Sequence, residues 1–173
     1  MQEQPTDEVP VAEPTADEAV RGHLVAALRL ARMLVGDTST AEDIAAESVA
    51  RLLAARRRVR VDNSGAYLRQ IVVHQVIGRR RRWATEQRLG HRFATAASSG
   101  DAGDQIVGRS ALAAALDQLP PRQRAVLVLR YYEDLSEAAV AALLHIPVGT
   151  VKSSASRGLE DLRRLLLEVR DDG

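Results

Sequence analysis

The chain has no cysteine. That excludes disulfides, cysteine-ligated zinc and thiol redox sensing. Histidine is scarce as well, four in 173 residues. His23, His74, His91 and His145 stand in unrelated sequence contexts, so no metal centre is expected. Aromatic residues make up only 3 % of the chain against 46 % apolar residues in all. Any core is therefore built from Ala, Leu, Val and Ile, a mixture that with only six prolines favours helices. No run approaches the roughly 20 apolar residues of a membrane span. The first 20 residues carry six acids (Glu3, Asp7, Glu8, Glu13, Asp17, Glu18) and no base, the reverse of a secretory leader. There is no Gly-rich phosphate loop and no nucleophile–base arrangement. The expectation is a soluble cytoplasmic protein, all-α, with no enzyme activity and no cofactor.

What is present is segregated charge. The formal net charge is +1, yet residues 51–92 hold twelve Arg against Asp62 and Glu86. Residues 109–173 hold nine bases and nine acids. A single basic block in a neutral chain points to a polyanionic partner.

Hydrophobic periodicity divides the chain. Residues 1–17, with Pro5, Pro10 and Pro14 among acids, read as a disordered acidic tail. Residues 18–85 read as three helices. Val20, Leu24, Ala27, Leu28, Ala31, Leu34 and Val35 form the stripe of the first, which Gly36-Asp37 ends. Ser39 and Glu42 have the spacing of a capping box for the second, which buries Ala45, Val49, Leu52 and Leu53. Ser64 is placed to cap the third, with Leu68, Ile71, Val72 and Gln75 inward, and it runs on into Arg79 to Arg82 and Trp83. Residues 86–108, centred on Ala-Ser-Ser-Gly-Asp-Ala-Gly-Asp at 97–104, have the composition of a flexible linker. Residues 109–170 read as a second small helical domain.

The second domain carries a motif. A short helix from Ser136 to Leu144, a connection at His145-Ile146-Pro147 and a long helix from Val148 make a candidate helix-turn-helix. The stripe Val151, Ala155, Gly158, Leu159, Leu162, Leu165 and Leu166 sets the buried face of the long helix. It leaves Gly149, Lys152, Ser153, Ser156 and Glu160 outward, flanked by Thr150 and Arg157. Small polar and basic residues at a helix start approach base edges and phosphates closely. By pattern alone, an ordinary surface helix of a bundle fits as well.

Three stretches of this domain resemble the C-terminal domain of extracytoplasmic-function sigma factors. They are Leu119-Pro-Pro-Arg-Gln-Arg-Ala-Val-Leu-Val-Leu-Arg-Tyr-Tyr132, Leu135-Ser-Glu-Ala-Ala-Val-Ala-Ala-Leu-Leu144 and Pro147-Val-Gly-Thr-Val-Lys-Ser153. In the first domain, Leu34-Val-Gly-Asp37 with Glu42-Asp43, and Ala66-Tyr-Leu-Arg-Gln-Ile71 before the Arg run, resemble that family's promoter-melting domain. The flavour is that of an actinobacterial branch. The two stretches stand in the family's order.

The resemblance implies a subunit of RNA polymerase that directs initiation at promoters. It places Thr150, Lys152, Ser153, Ser156 and Arg157 on the −35 duplex. It places Arg60, Asp62, Asn63, Arg69 and Arg79, Arg80, Arg81 and Arg82 on the melted −10 strand, with a flipped base at the turn Arg60 to Ser64. It assigns Asp43, Glu47, Arg51 and Leu52 to an outward surface for the largest polymerase subunit's coiled coil. It also implies an anti-sigma partner. The family commonly has Arg where Ser154 stands, which implies a missing phosphate anchor, and Arg-Asn where His74-Gln75 stand. Trp83 is expected to pack on the first helix. The competing reading is a helix-turn-helix regulator that is not a polymerase subunit; it would need a ligand pocket or phosphoacceptor in the first domain.

Overall fold

A computed structural model describes residues 15–57, 62–90 and 111–171, the side chains of 80–90 and 169–171 excepted. The expected acidic tail, apart from its last residues, and the expected linker beyond Gly90 lie outside the described residues. Seven α-helices and one π-helical turn make up the rest, and there is no strand among the described residues.

Helix α1 (Ala16–Val35) begins on a capping box. The Thr15 hydroxyl accepts from the Glu18 N–H at 3.3 Å, and the Glu18 carboxylate accepts from the Thr15 N–H at 2.8 Å. Those hydrogen bonds, first from the backbone and then from the side chain of Thr15, hold the Glu18 carboxyl below its ordinary pKa. A depressed carboxylate contributes stability that is present above its unfolded-state pKa and lost as pH falls through the folded one. The first turn of α1 is therefore expected to fray on acidification, followed as helicity by circular dichroism; Glu18→Gln should flatten that part of the acid limb.

The buried face of α1 is Ala27, Leu30, Ala31 and Leu34. Leu24, expected inward, is 42 % exposed. The face is turned toward Leu30 because α1 packs on two sides, against α2 (Thr38–Arg56) and α3 (Ser64–Gly90) and also against α4 (Ala111–Gln118) and α5 (Pro121–Leu127). Gly36 ends the helix at φ 76°. A Cβ there would collide with the carboxylate of Asp117 on α4, so this helix stop is also a close approach between distant parts of the chain.

Helix α2 (Thr38–Arg56) is capped by Asp37, not by Ser39. The Asp37 carboxylate accepts from the Thr40 N–H at 2.7 Å, and a charged acceptor outcompetes a hydroxyl at the positive end of a helix. Glu42 is thereby left to Arg32, 3.4 Å away. Helix α3 (Ser64–Gly90) is capped by Asn63, whose side-chain oxygen accepts from the Ala66 N–H at 2.9 Å. Ser64 instead shares a 3.0 Å hydrogen bond with His23 Nε2 on α1. The helix continues past residue 85 to Gly90, through Glu86, Gln87, Arg88 and Leu89, all helix formers.

Helices α4 (Ala111–Gln118) and α5 (Pro121–Leu127) follow, the latter with Pro121 at its first turn. Beyond Leu127 the helix widens into a π turn at Val128–Tyr132. Ser136 caps α6 (Glu137–Leu144) as expected, accepting from the Ala139 N–H at 3.1 Å. Helix α7 (Val148–Asp171) closes the fold. Ala115, Leu116, Leu119, Leu127 and Leu165 make a small core of their own.

The main core is shared. Leu30, Leu34, Ile44, Leu52, Val72 and Val76 from α1–α3 belong to the same buried cluster as Val126, Val128, Leu129, Val140 and Val151 from the later helices. Helix α1 packs on α4, α5 and the π turn, and α3 packs on α6. The two helical units are docked on each other along an apolar seam.

Candidate nucleic-acid interface

Helix α6 stops at His145, which takes the left-handed conformation at φ 54° and donates its N–H to the carbonyls of Ala141 and Ala142. The Ile146 N–H reaches the Ala141 carbonyl at 3.0 Å. Glycine usually fills such a stop. The chain turns through 104° into α7, within the range of helix-turn-helix motifs. Val140 and Val151, both fully buried, pin the two helices together. With Val151 inward, Gly149, Lys152, Ser156, Arg157 and Glu160 are exposed and Thr150 and Ser153 half-buried. The five residues expected on duplex DNA thus share one face at the start of α7. Lys152 Nζ lies 3.7 Å from Glu137 on α6, and the Ser153 hydroxyl donates to the Thr150 carbonyl at 3.2 Å.

Ser154 requires a correction. It is only 8 % exposed and belongs to the inward face, so its place is no outward phosphate anchor. It sits three residues after Val151, about one helical turn on, and so follows that residue inward.

In the first unit, Asp62 and Asn63 are exposed at the entrance to α3. The Asn63 oxygen serves as the helix cap, so what Asn63 offers a ligand is its amide nitrogen. Arg69 and Arg79 lie on α3, about 15 Å apart along its axis. Arg60, and the side chains of Arg80, Arg81, Arg82 and Trp83, lie outside the described residues. Arg69 is not open to solvent like its neighbours. Its Nε donates to Glu133 at 2.5 Å, across the seam between the units. His74 is exposed and stacks on His145, ring centres 5.6 Å apart and planes 21° from parallel. Gln75 points inward as expected, donating to the buried Ser48 hydroxyl at 2.9 Å.

On α2, Asp43, Glu47 and Arg51 follow at intervals of four and form one exposed row. Glu47 and Arg51 are 2.7 Å apart, and Asp43 is 3.6 Å from Arg79. Leu52 does not belong to that surface. It is 0 % exposed and sits in the core, because five residues from Glu47 turns it about 140° away. The exposed apolar neighbour is Leu53, expected to be buried.

A basic helical bundle beside a helix-turn-helix with an open polar face defines a DNA-binding protein. A family model described as Sigma-70 region 2 matches residues 19–85, and one described as Sigma-70, region 4 matches residues 109–162. The chain is 33 % identical over 155 residues to an RNA polymerase sigma-E factor of Streptomyces coelicolor, covering 87 % of this chain and 85 % of that one. It is 32 % identical over 161 residues to the ECF RNA polymerase sigma factor SigE of Mycolicibacterium smegmatis, covering 90 % of this chain and 63 % of the relative. The sigma factor RpoE of Bartonella quintana, solved in complex with the anti-sigma factor NepR, has the same fold: TM-score 0.65, 22 % identity, 87 % of this chain and 95 % of that one. The chain belongs to the extracytoplasmic-function branch of the RNA polymerase sigma factors and serves transcription initiation. A regulator outside the polymerase is not favoured, since both halves match sigma regions in the family's order.

The partners of Arg69 and His74 were not visible in the sequence. Glu133 lies 64 residues from Arg69, and no local pattern marks a contact of that separation.

Proposed function

We propose that the two units divide promoter recognition between them. Residues 109–170 read the −35 duplex through Thr150, Lys152, Ser153, Ser156 and Arg157. Residues 18–85 hold the melted −10 strand with Asp62, the Asn63 amide, Arg69 and Arg79, joined by Arg60 and Arg80 to Arg82. Asp43, Glu47 and Arg51 meet the coiled coil of the polymerase's largest subunit. The observation that carries this reading is the open polar face at the start of α7, held by a 104° turn from α6. Nucleotide chemistry would belong to the polymerase, and the factor would act in the cytoplasm. An anti-sigma partner, as RpoE has in NepR, would fit the same scheme.

Lys152 is, with Arg157, one of the two cations of the duplex face and is expected to touch a phosphate rather than a base. Lys152→Ala should then weaken duplex binding about equally across sequences and lower the slope of log affinity against log salt by about 1. Fluorescence anisotropy over a salt series measures it. An unchanged slope and affinity would remove Lys152 from the interface.

A further inference from the structure

Arg69 and Glu133 form an ion pair of a different kind from the others on α2 and α3. The Glu47–Arg51 and Asp43–Arg79 pairs are exposed, whereas Arg69 and Glu133 keep only 26 % and 16 % of their side-chain surface open to water. The pair also joins the two units, and the acid comes from the exit of the π turn, at the end of the segment that packs on α1. Glu133 caps that turn through a 3.0 Å hydrogen bond from its N–H to the Val128 carbonyl, which fixes where its side chain leaves the backbone. The carboxylate borders a cavity of about 380 Å3 between α1 and α3. The wall of that cavity includes Ser64 and Gly65, the two residues after Asn63. A second contact of the same docking is the stack of His145, from the helix-turn-helix connection, on His74 of α3. The outward face of α7 is untouched by it: Lys152 is 65 % exposed and Ser156 and Arg157 are open.

We propose that Glu133 is an internal stand-in for a DNA phosphate. Resting on the assignment of Arg69 to the melted strand, it occupies that guanidinium in the docked form and keeps the −10 surface shut while the −35 face stays open. A carboxylate and a phosphate present the same feature to a guanidinium, an anionic oxygen pair that accepts its N–H groups. Strand and Glu133 therefore compete for one cation, and strand binding requires the two units to part at this point. The free factor would accordingly meet duplex DNA with its second unit before it grips a single strand with its first.

The test compares the full chain with Glu133→Gln and Arg69→Gln, binding a short oligo(dT) strand over a salt series. Removing the internal anion should tighten binding roughly five-fold, as expected for losing a partly buried competing pair. It should leave the log–log salt slope close to the parent's, since Arg69 neutralises the same phosphate in both bound complexes, whereas Arg69→Gln should flatten the slope by about 0.7. Arg69→Gln should bind more weakly than the parent, and adding Glu133→Gln to it should bring no gain. Asp134→Asn removes the same charge one residue away and should leave affinity unchanged. If it tightens binding as much as Glu133→Gln does, net charge explains the gain and the proposal fails. If Glu133→Gln binds no better while Arg69→Gln binds worse, the proposal fails and the strand assignment stands. If Arg69→Gln binds as well as the parent, the strand assignment itself is wrong and the proposal falls with it. Glu133→Ala replaces the amide, with the same outcomes, should the amide disturb the π turn.

Discussion

Reversing one charge, Glu47→Lys, is expected to abolish assembly with core RNA polymerase while the protein stays folded. Glu47 is half exposed on α2, its carboxylate satisfied by Arg51 at 2.7 Å and by water. Nothing in the core depends on it, so the substitution should change stability by no more than about 0.5 kcal/mol, or about 2 °C in melting temperature. In the assembled complex the proposed row Asp43–Glu47–Arg51 would face the polymerase. Placing a cation where the partner expects an anion leaves a desolvated, mismatched charge, which costs about 2–5 kcal/mol. That is about 30-fold to several thousand-fold in affinity, enough to lose the complex at ordinary concentrations. Gel filtration or anisotropy with core polymerase reads the outcome. Full binding by a folded Glu47→Lys chain would remove α2 from the polymerase contact.

Leu52→Ala should do the opposite. Leu52 is fully enclosed in the main buried cluster. Truncating it removes buried methyl groups and leaves a cavity, at a cost of about 2–5 kcal/mol. For a chain of this length that lowers the melting temperature by about 5–15 °C. Much of the stability of a small protein is at stake, since the whole amounts to about 5–15 kcal/mol. Any loss of polymerase binding in Leu52→Ala should track the loss of helicity and recover on cooling. A chain that keeps its parent melting temperature yet fails to bind polymerase would return Leu52 to the outward surface. The two variants, five residues apart on opposite sides of α2, separate a contact from a core position.

The difference between Glu47 and Leu52 shows what a single sequence holds. They stand five residues apart on α2, about 1.4 turns, and family likeness drew both into one surface. The period of 3.6 was the better guide, because it had already marked Leu52 as inward. Periodicity likewise marked the open face of α7, the one proposed for the duplex, since Val151, Ala155, Gly158 and Leu159 left only one side free. Local chemistry was legible where one residue type had no rival, as with Ser136 before α6 or Gly36 after α1. It misled where two cappers stood close together: Asp37 took the place read for Ser39, and Asn63 that read for Ser64. The first of these leaves Glu42 to Arg32, and the second commits the Asn63 oxygen to its helix. What could not be read at all is the docking of the two units. Leu129 joins the buried cluster of Leu34, and Arg69 pairs with Glu133, only after the chain has folded back over dozens of residues. The residues of that seam are ordinary Leu, Val and Ala, which serve equally well inside either unit.

This chain, by itself, is expected to give RNA polymerase a choice of promoters. Transcription with purified core polymerase, the purified full chain and fragmented genomic DNA of its own source tests this directly, with transcript 5′ ends mapped by sequencing. Initiation is expected at a small set of discrete sites that share one −35 and one −10 sequence at fixed spacing, and Glu47→Lys should erase them. Transcripts no more numerous or better placed than those from core polymerase alone would contradict the claim.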